Sequence, residues 1–150
     1  MSEHAEPGTI TTLDVPQDAR DKRALAGIRV LLVDDDDDIR DVFQQVLELY
    51  GAQVQPAAST AAALAVLAIW RPDVMLSDLA MPGENGFELM RQVSARPDPP
   101  AAAALTAHST IEGHEQAVMA GFRLYLAKPL DSGVLVEAVA ILAGRLAPPA

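Results

Sequence analysis

The sequence predicts an α/β domain whose five strands form a doubly wound parallel sheet in the order 2-1-3-4-5, with five helices. Three observations support this. From Ile28 onward, short apolar runs alternate with longer amphipathic stretches, which is the pattern of successive βα units. The first run is almost unbroken by polar residues, as expected for a strand that helices cover on both faces. Polar side chains follow four of the five runs, and such sheets place their ligand chemistry at the carboxyl ends of strands.

Each strand is a short apolar run bounded by turn residues. In order, the strands are predicted at 28–33, 53–56, 74–77, 102–105 and 123–127. The fourth run is preceded by Asp98-Pro99-Pro100, which breaks the chain because proline cannot continue a helix.

The helices lie in the stretches between these runs. In order, they are predicted at 37–50, 60–71, 87–94, 111–120 and 132–146. In the first helix, apolar residues that include Val42 recur at the spacing of one buried face. Gly51 and Gly121 are stop signals for the first and fourth helices. Ser59 and Asp131 are typical N-caps for the second and fifth.

A chain of 150 residues is long enough for one domain with a proper core and too short for two of ordinary size. Its first 26 residues are polar and show no sustained periodicity. We therefore predict a flexible tail or linker at 1–26, a folded domain at 27–147 and a short tail at 148–150.

Composition excludes several classes of function. A net charge of −10 argues against nucleic acid or an anionic membrane surface as a partner. The absence of cysteine excludes disulfides and thiolate catalysis. No apolar run reaches the roughly 18 residues of a membrane helix, and the N-terminus lacks the pattern of a signal peptide. We expect a soluble cytoplasmic protein that does not insert into membranes.

Carboxylates follow two strands that are neighbours in the predicted order. Asp34 and Asp35 come directly after the first strand and Asp78 after the third, so their strand ends lie ~5 Å apart. Carboxylates at ~5 Å repel by roughly 3 kcal/mol at an effective dielectric near 20, and a cation would offset this repulsion. Hard oxygen ligands favour Mg²⁺. By contrast, Asp37 and Asp38 are expected to be ordinary first-turn residues of a helix.

A hydroxyl and an ammonium group follow the remaining two strands of this set. Thr106 ends the fourth strand and Lys128 the fifth. The chain has two lysines against nine arginines, so lysine is not its usual source of positive charge. A compact ammonium suits contact with one phosphate or carboxylate oxygen. The four strand ends together predict a cation and phosphoryl site.

Four sequence segments carry a family resemblance. They are LLVDDD, LSDLAMPGENGFELM, ALTA and LYLAKP, in this order and at suitable separations. With them the chain resembles a response-regulator receiver domain of two-component signalling, from about residue 28 to residue 146. The resemblance implies a flavodoxin-like fold. It also implies a signalling phosphoacceptor that is not an enzyme, beyond catalysing its own phosphorylation and dephosphorylation.

The resemblance assigns a role to each strand-end residue. Asp78 would accept a phosphoryl group from a sensor histidine kinase or a histidine phosphotransfer protein. Asp34, Asp35 and Asp78, with the backbone carbonyl of Ala80, would hold Mg²⁺, or Mn²⁺ in its place.

The resemblance also implies a switch. Thr106 and Lys128 would bind oxygens of the phosphoryl group, and the Lys128–Pro129 bond would be cis. Thr106 would move toward the phosphoryl group, and Tyr125 would turn inward into the space that it leaves. That movement would change the face formed by the fourth helix, fifth strand and fifth helix, where a downstream protein reads the state. Ala80 and His108, each two residues beyond a site residue, would set the lifetime of the phosphorylated state.

Two alternatives remain open at this point. The segment from Asp34 to Asp36, followed by Thr106 and Lys128, also resembles a haloacid-dehalogenase phosphatase, whose nucleophile lies on the first strand. That reading leaves Asp78 without a role. The chain also offers no later acidic pair at the end of another strand, and it has no room for a cap. The second alternative is a receiver-like adaptor that keeps the fold without being phosphorylated.

Overall fold

The computed structural model describes residues 22–146, which contain five parallel strands and five helices. The strands are β1 (Arg29–Val33), β2 (Gln53–Ala57), β3 (Val74–Asp78), β4 (Ala101–Thr106) and β5 (Leu124–Ala127). The helices are α1 (Asp37–Leu49), α2 (Thr60–Leu67), α3 (Gly86–Ser94), α4 (Ile111–Ala120) and α5 (Ser132–Leu142). The strand order is β2-β1-β3-β4-β5, which confirms the predicted fold class and topology.

Alternate residues of each central strand face two separate hydrophobic cores. In β1, Val30 and Leu32 pack into the core on the side of α1 and α5, while Leu31 and Val33 pack on the side of α2, α3 and α4. All four side chains are fully buried. The first polar residue after β1 therefore stands at the end of a strand that helices cover on both sides.

The second and fifth helices are shorter than the sequence predicts. Helix α2 ends at Leu67, whose carbonyl accepts a hydrogen bond of 3.0 Å from the guanidinium of Arg96. Helix α5 ends at Leu142, and Gly144 follows in the left-handed region with a φ of 79°. The N–H of Arg145 then bonds back to the carbonyl of Ala140 at 2.8 Å, which closes the helix.

One residue that the sequence places on the buried face of α1 is exposed, so that part of the prediction is wrong. Phe43 and Leu47 are buried, but Val42 is 56% exposed. At 3.6 residues per turn, Val42 lies about 120° from the centre of the face that Phe43 and Leu47 occupy. Its apolar character therefore does not indicate burial.

The segment before β1 packs against the domain. Leu25, which the sequence analysis assigned to the tail, is fully buried in the core, and its N–H donates to the carbonyl of Tyr50 at 2.9 Å. The guanidinium of Arg145 donates to the carbonyls of Ala24 at 3.2 Å and Ala26 at 2.6 Å. Residues 22–26 thus connect the ends of α1 and α5. The rest of the assigned tail, 1–21, and the residues from 147 on lie outside the described part, so the division into tail and domain stays a prediction.

Candidate functional site

The turn after β1 fixes the first acidic side chain inside the domain. Asp34 is fully buried, and its Oδ1 accepts a hydrogen bond from the N–H of Asp36 at 2.9 Å. Asp36 in turn is the N-cap of α1 and accepts from the N–H of Ile39. The guanidinium of Arg40 holds the same turn, because it donates to the carbonyl of Asp34 at 2.7 Å. The carboxylate of Asp34 is thereby directed toward the strand ends.

The third strand carries the second buried acid to its last residue. Asp78 ends β3, is 6% exposed, and accepts a hydrogen bond from the N–H of Ala80 at 3.2 Å. Helix α3 begins directly against this strand end, since a β-carbon on Gly86 would overlap the carbonyl oxygen of Asp78. Only glycine allows this approach, which sets the course of the loop 79–85 over the site.

Three carboxylates meet at this edge of the sheet. Asp34, Asp35 and Asp78 each offer an oxygen, and these oxygens lie within 4.8 Å of one another. Asp35 is exposed, so the cluster opens to solvent on its side. Burial raises the pKa of Asp78 to about 6; the charge of Lys128 opposes the rise and that of Asp34 adds to it. Hard oxygen donors that repel one another in this way fit Mg²⁺, and the predicted acidic residues are brought together as expected.

Lys128 joins the acidic cluster from β5. Its Nζ lies 2.7 Å from Oδ2 of Asp34 and 3.5 Å from Oδ2 of Asp78. Burial alone would lower the pKa of Lys128, but the hydrogen bond and charge of Asp34 and then Asp78 outweigh it, and the pKa is raised. The ammonium group therefore stays charged. The Lys128–Pro129 bond is cis, as the resemblance implied.

The hydroxyl of Thr106 is engaged with the loop that follows β4. Thr106 is 7% exposed, and its Oγ1 donates to the carbonyl of His108 at 3.1 Å and accepts from the N–H of His108 at 3.0 Å. The residue lies at the predicted edge of the sheet, but its hydrogen bonds go to the backbone of His108. A bond from Thr106 to a group on Asp78 thus requires the loop to release it.

Tyr125 and the two proposed lifetime residues surround a cleft beside the cluster. This cleft has a volume of about 710 Å³, and its lining includes Ala80, Thr106, His108 and Tyr125. Ala80 and His108 are exposed and Tyr125 is half-buried. The phenol oxygen of Tyr125 accepts a hydrogen bond of 3.3 Å from the N–H of Thr110.

Sequence reasoning did not find several residues that shape the site. Arg40 could have been recognised only from its position, because an arginine one turn after the acidic N-terminus of a helix can reach back to the end of the preceding strand. Gly113 and His114, which contact Tyr125, lie within a predicted helix and looked like ordinary helical residues. Their contacts depend on how α4 packs on β5, and the one-dimensional pattern does not contain that information.

The fold and the site define the class of the molecule: a doubly wound α/β domain in which an acidic pocket faces a lysine at the carboxyl edge of the sheet. Residues 30–140 match the sequence model of the response regulator receiver domain. This match covers most of the chain, so the chain belongs to the family of response-regulator receiver domains, the phosphoacceptor modules of two-component signalling.

Relatives and solved structures agree with this assignment. An uncharacterized 14.6 kDa protein in the sodA1 3′ region of Leptolyngbya boryana is 40% identical over 119 residues, which are 78% of this chain and 91% of that protein. The DNA-binding transcriptional regulator NtrC of Escherichia coli K12 is 37% identical over 75% of this chain, which spans 24% of NtrC. The chemotaxis response regulator CheY4 of Vibrio cholerae superposes with a TM-score of 0.73 at 29% identity, covering 77% of this chain and 98% of CheY4.

Family membership supplies the coarse features of the function. Receiver domains generally bind Mg²⁺ in an acidic pocket and interact with histidine kinases and effector partners. The haloacid-dehalogenase alternative receives no support. Among the described residues, none of the helices has the length and hydrophobicity needed to span a bilayer.

Proposed function

We propose that Asp78 is the residue that accepts the phosphoryl group. The observation that carries the proposal is the convergence of a buried carboxylate at the end of β3 with two neighbouring carboxylates and a lysine. Asp78 lies within 3.5 Å of the Lys128 ammonium and within 4.8 Å of oxygens of Asp34 and Asp35. Asp34 makes the shorter contact with Lys128, at 2.7 Å, so it is already occupied as an ion-pair partner.

The proposed reaction moves a phosphoryl group from a phosphohistidine nitrogen to a carboxylate oxygen of Asp78. The P–N bond breaks, the histidine nitrogen keeps the electron pair and takes a proton, and the P–O bond forms. The transition state needs in-line positioning and neutralisation of its equatorial oxygens more than covalent help. Lys128 stands close enough to move from the Asp78 carboxylate to one of these oxygens.

Three carboxylates of the acidic pocket are proposed to hold Mg²⁺, or Mn²⁺ in its place. Asp34, Asp35 and Asp78 would be the side-chain ligands, with the carbonyl of Ala80 as a fourth protein ligand. The cation, when bound, supplies positive charge for the phosphoryl oxygens. With a pKa of about 6, Asp78 is already about nine-tenths ionised at pH 7 and available as a nucleophile.

The switch is proposed to run through the loop between β4 and α4. This loop is tied at one end by the Thr106 hydroxyl to His108, and near the other by the Thr110 N–H to the Tyr125 phenol. When Thr106 turns toward the phosphoryl group it releases His108. The loop then relaxes, and Tyr125 can turn inward toward the vacated space.

The proposed reading surface is the face formed by α4, β5 and α5. Three large apolar side chains of α4 stand out into solvent, Ile111 at 79%, Val118 at 58% and Met119 at 88% exposure. Exposed apolar groups on one helix are typical of a protein-binding surface. A downstream protein target is therefore proposed here, and a sensor histidine kinase or histidine phosphotransfer protein is proposed as the phosphoryl donor. Because a histidine kinase makes this donor from ATP, we propose that the domain works in the cytoplasm. We also propose that it acts as a phosphoacceptor and not as an enzyme.

Mass spectrometry tests the acceptor assignment. The protein is exposed to acetyl phosphate and Mg²⁺, digested, and the modified peptide is sequenced. We expect one phosphoryl group on the peptide that contains Asp78, and none in Asp78→Asn. A label on Asp34 would overturn the assignment, and a protein that takes no label at all would favour the adaptor alternative.

A further inference from the structure

Helix α4 begins against the ring of Tyr125. A β-carbon on Gly113 would lie 2.6 Å from Oη of Tyr125 and 2.9 Å from Oγ1 of Thr110. Both distances are well inside van der Waals contact. The Thr110 hydroxyl is already fixed as the N-cap, because it accepts the N–H of Gly113 at 2.9 Å. The phenol of Tyr125 therefore occupies space that any other residue at position 113 would need for its own side chain.

Two further contacts hold the same ring. Its hydroxyl accepts the hydrogen bond from the Thr110 N–H, and its face stacks on the imidazole of His114. The ring centroids are 5.1 Å apart and the ring planes differ by 19°. Such stacked pairs contribute beyond the area that they bury. Successive residues of α4 thus supply an open site and a stacking partner for one side chain of β5.

We propose that Gly113 and His114 are positioning residues that hold Tyr125 in this observed place and so bias the domain toward its unphosphorylated state. The inference rests on the proposed switch role of Tyr125. If phosphorylation requires Tyr125 to leave its place against α4, then each contact that holds it there opposes phosphorylation. A substitution that weakens those contacts should therefore strengthen the binding of a phosphoryl analogue at Asp78 by the same factor. This follows because the coupling between the Tyr125 position and the Asp78 site is reciprocal.

Helix propensity alone predicts a different result for Gly113→Ala. This glycine is not among those with a positive φ, so the backbone does not require it. Glycine inside a helix is destabilising relative to alanine. If Gly113 had only a helical role, replacing it by alanine would stabilise the fold and leave Tyr125 unmoved.

The test uses tyrosine-ring NMR together with binding of beryllofluoride and Mg²⁺. The chain has two tyrosines, and Tyr50 lies at the opposite pole of the domain, so its signal is an internal reference. In Gly113→Ala we expect the Tyr125 ring signals to shift without any phosphoryl analogue, while those of Tyr50 stay in place. We expect beryllofluoride to bind roughly three- to tenfold more tightly, the range that corresponds to losing one stacked pair.

His114 gives an independent variant in case Gly113→Ala folds poorly. His114→Ala should shift the Tyr125 signals and tighten beryllofluoride binding, and His114→Phe should restore both because it keeps an aromatic face. Val42→Ala is the matched control, an exposed apolar position of α1, outside the site and the proposed reading surface, that should change neither.

Unchanged Tyr125 signals and unchanged beryllofluoride affinity in Gly113→Ala and His114→Ala would overturn the inference. Failure of the proposed function looks different: wild type would bind no beryllofluoride at all, while Gly113→Ala would still displace the Tyr125 ring.

Discussion

Replacing Asp78 by asparagine should stabilise the metal-free domain at neutral pH, although it removes the proposed acceptor. The pKa of Asp78 rises from 3.8 to about 6, first because the carboxyl is buried and then because Asp34 lies close by, against the opposing charge of Lys128. The folded state thus holds the proton more tightly than the unfolded chain. This stabilising contribution is complete below pH 4 and is lost as the pH rises through about 6.

The magnitude follows from the size of the pKa shift. A rise of about two units corresponds to about 3 kcal/mol between pH 4 and pH 8, at 1.36 kcal/mol per unit. Asparagine cannot ionise, so the variant keeps the stability that wild type loses when Asp78 is deprotonated. Lys128 is not left unpaired in the variant, because its 2.7 Å contact with Asp34 remains. At pH 7.5 we therefore expect Asp78→Asn to be more stable by up to about 3 kcal/mol, or roughly 10 °C in Tm for a domain of this size.

Urea unfolding in EDTA, measured at intervals from pH 4 to pH 8, checks this expectation. Asp41→Asn is the matched control, since it makes the same change in net charge at an exposed position of α1. The gap between Asp78→Asn and wild type should open as the pH rises and should be absent in Asp41→Asn. A variant no more stable than wild type at pH 7.5, or a gap that does not vary with pH, would refute the reasoning.

Three further expectations follow from other parts of the domain. Mg²⁺ at ten times its Kd should raise the unfolding free energy of wild type by about 1.4 kcal/mol. The rise should be much smaller in Asp34→Asn, and also below pH 6, where Asp78 is protonated. Thermal melts that coincide with and without Mg²⁺ would contradict the cation site. Leu25→Ala should lower the unfolding free energy measured in urea by about 2–5 kcal/mol, since Leu25 is fully buried. A change near zero would mean that this segment belongs to the tail and not to the folded domain. A larger side chain at Ala80, or alanine at His108, should change the half-life of the aspartyl phosphate because both residues line the cleft beside the site; equal half-lives by phosphate release would remove both from that role.

The fold and the acidic part of the site were predictable because they depend on local pattern and on sheet topology. Apolar runs fixed the five strands, and parallel strands necessarily bring Asp34, Asp78 and Lys128 to one edge. Hydrogen-bond partners across the chain were not predictable. Helix α2 stops where a guanidinium twenty-nine residues further on reaches its last carbonyl, and no local feature of the helix sequence records that contact.

The movable part of the site was also beyond the reach of sequence pattern. The resemblance places Thr106 beside the phosphoryl group, whereas in the structure its hydroxyl is bonded to the backbone of His108. Which partner the hydroxyl chooses depends on the conformation of the loop, and this differs between the states of a switch. The family resemblance suggests which residues move, and the structure shows the hydrogen bonds that hold Thr106 in the described conformation.

The strap that Arg145 forms with the carbonyls of Ala24 and Ala26 has an architectural consequence. It places the entry and exit points of the domain side by side, at the pole opposite the carboxyl ends of the strands. A neighbouring module joined through residue 22 or residue 146 would connect to the domain at that pole, away from the proposed acceptor Asp78. Because its two ends lie close together, the domain is suited to insertion between other modules without a change at the carboxyl edge of the sheet.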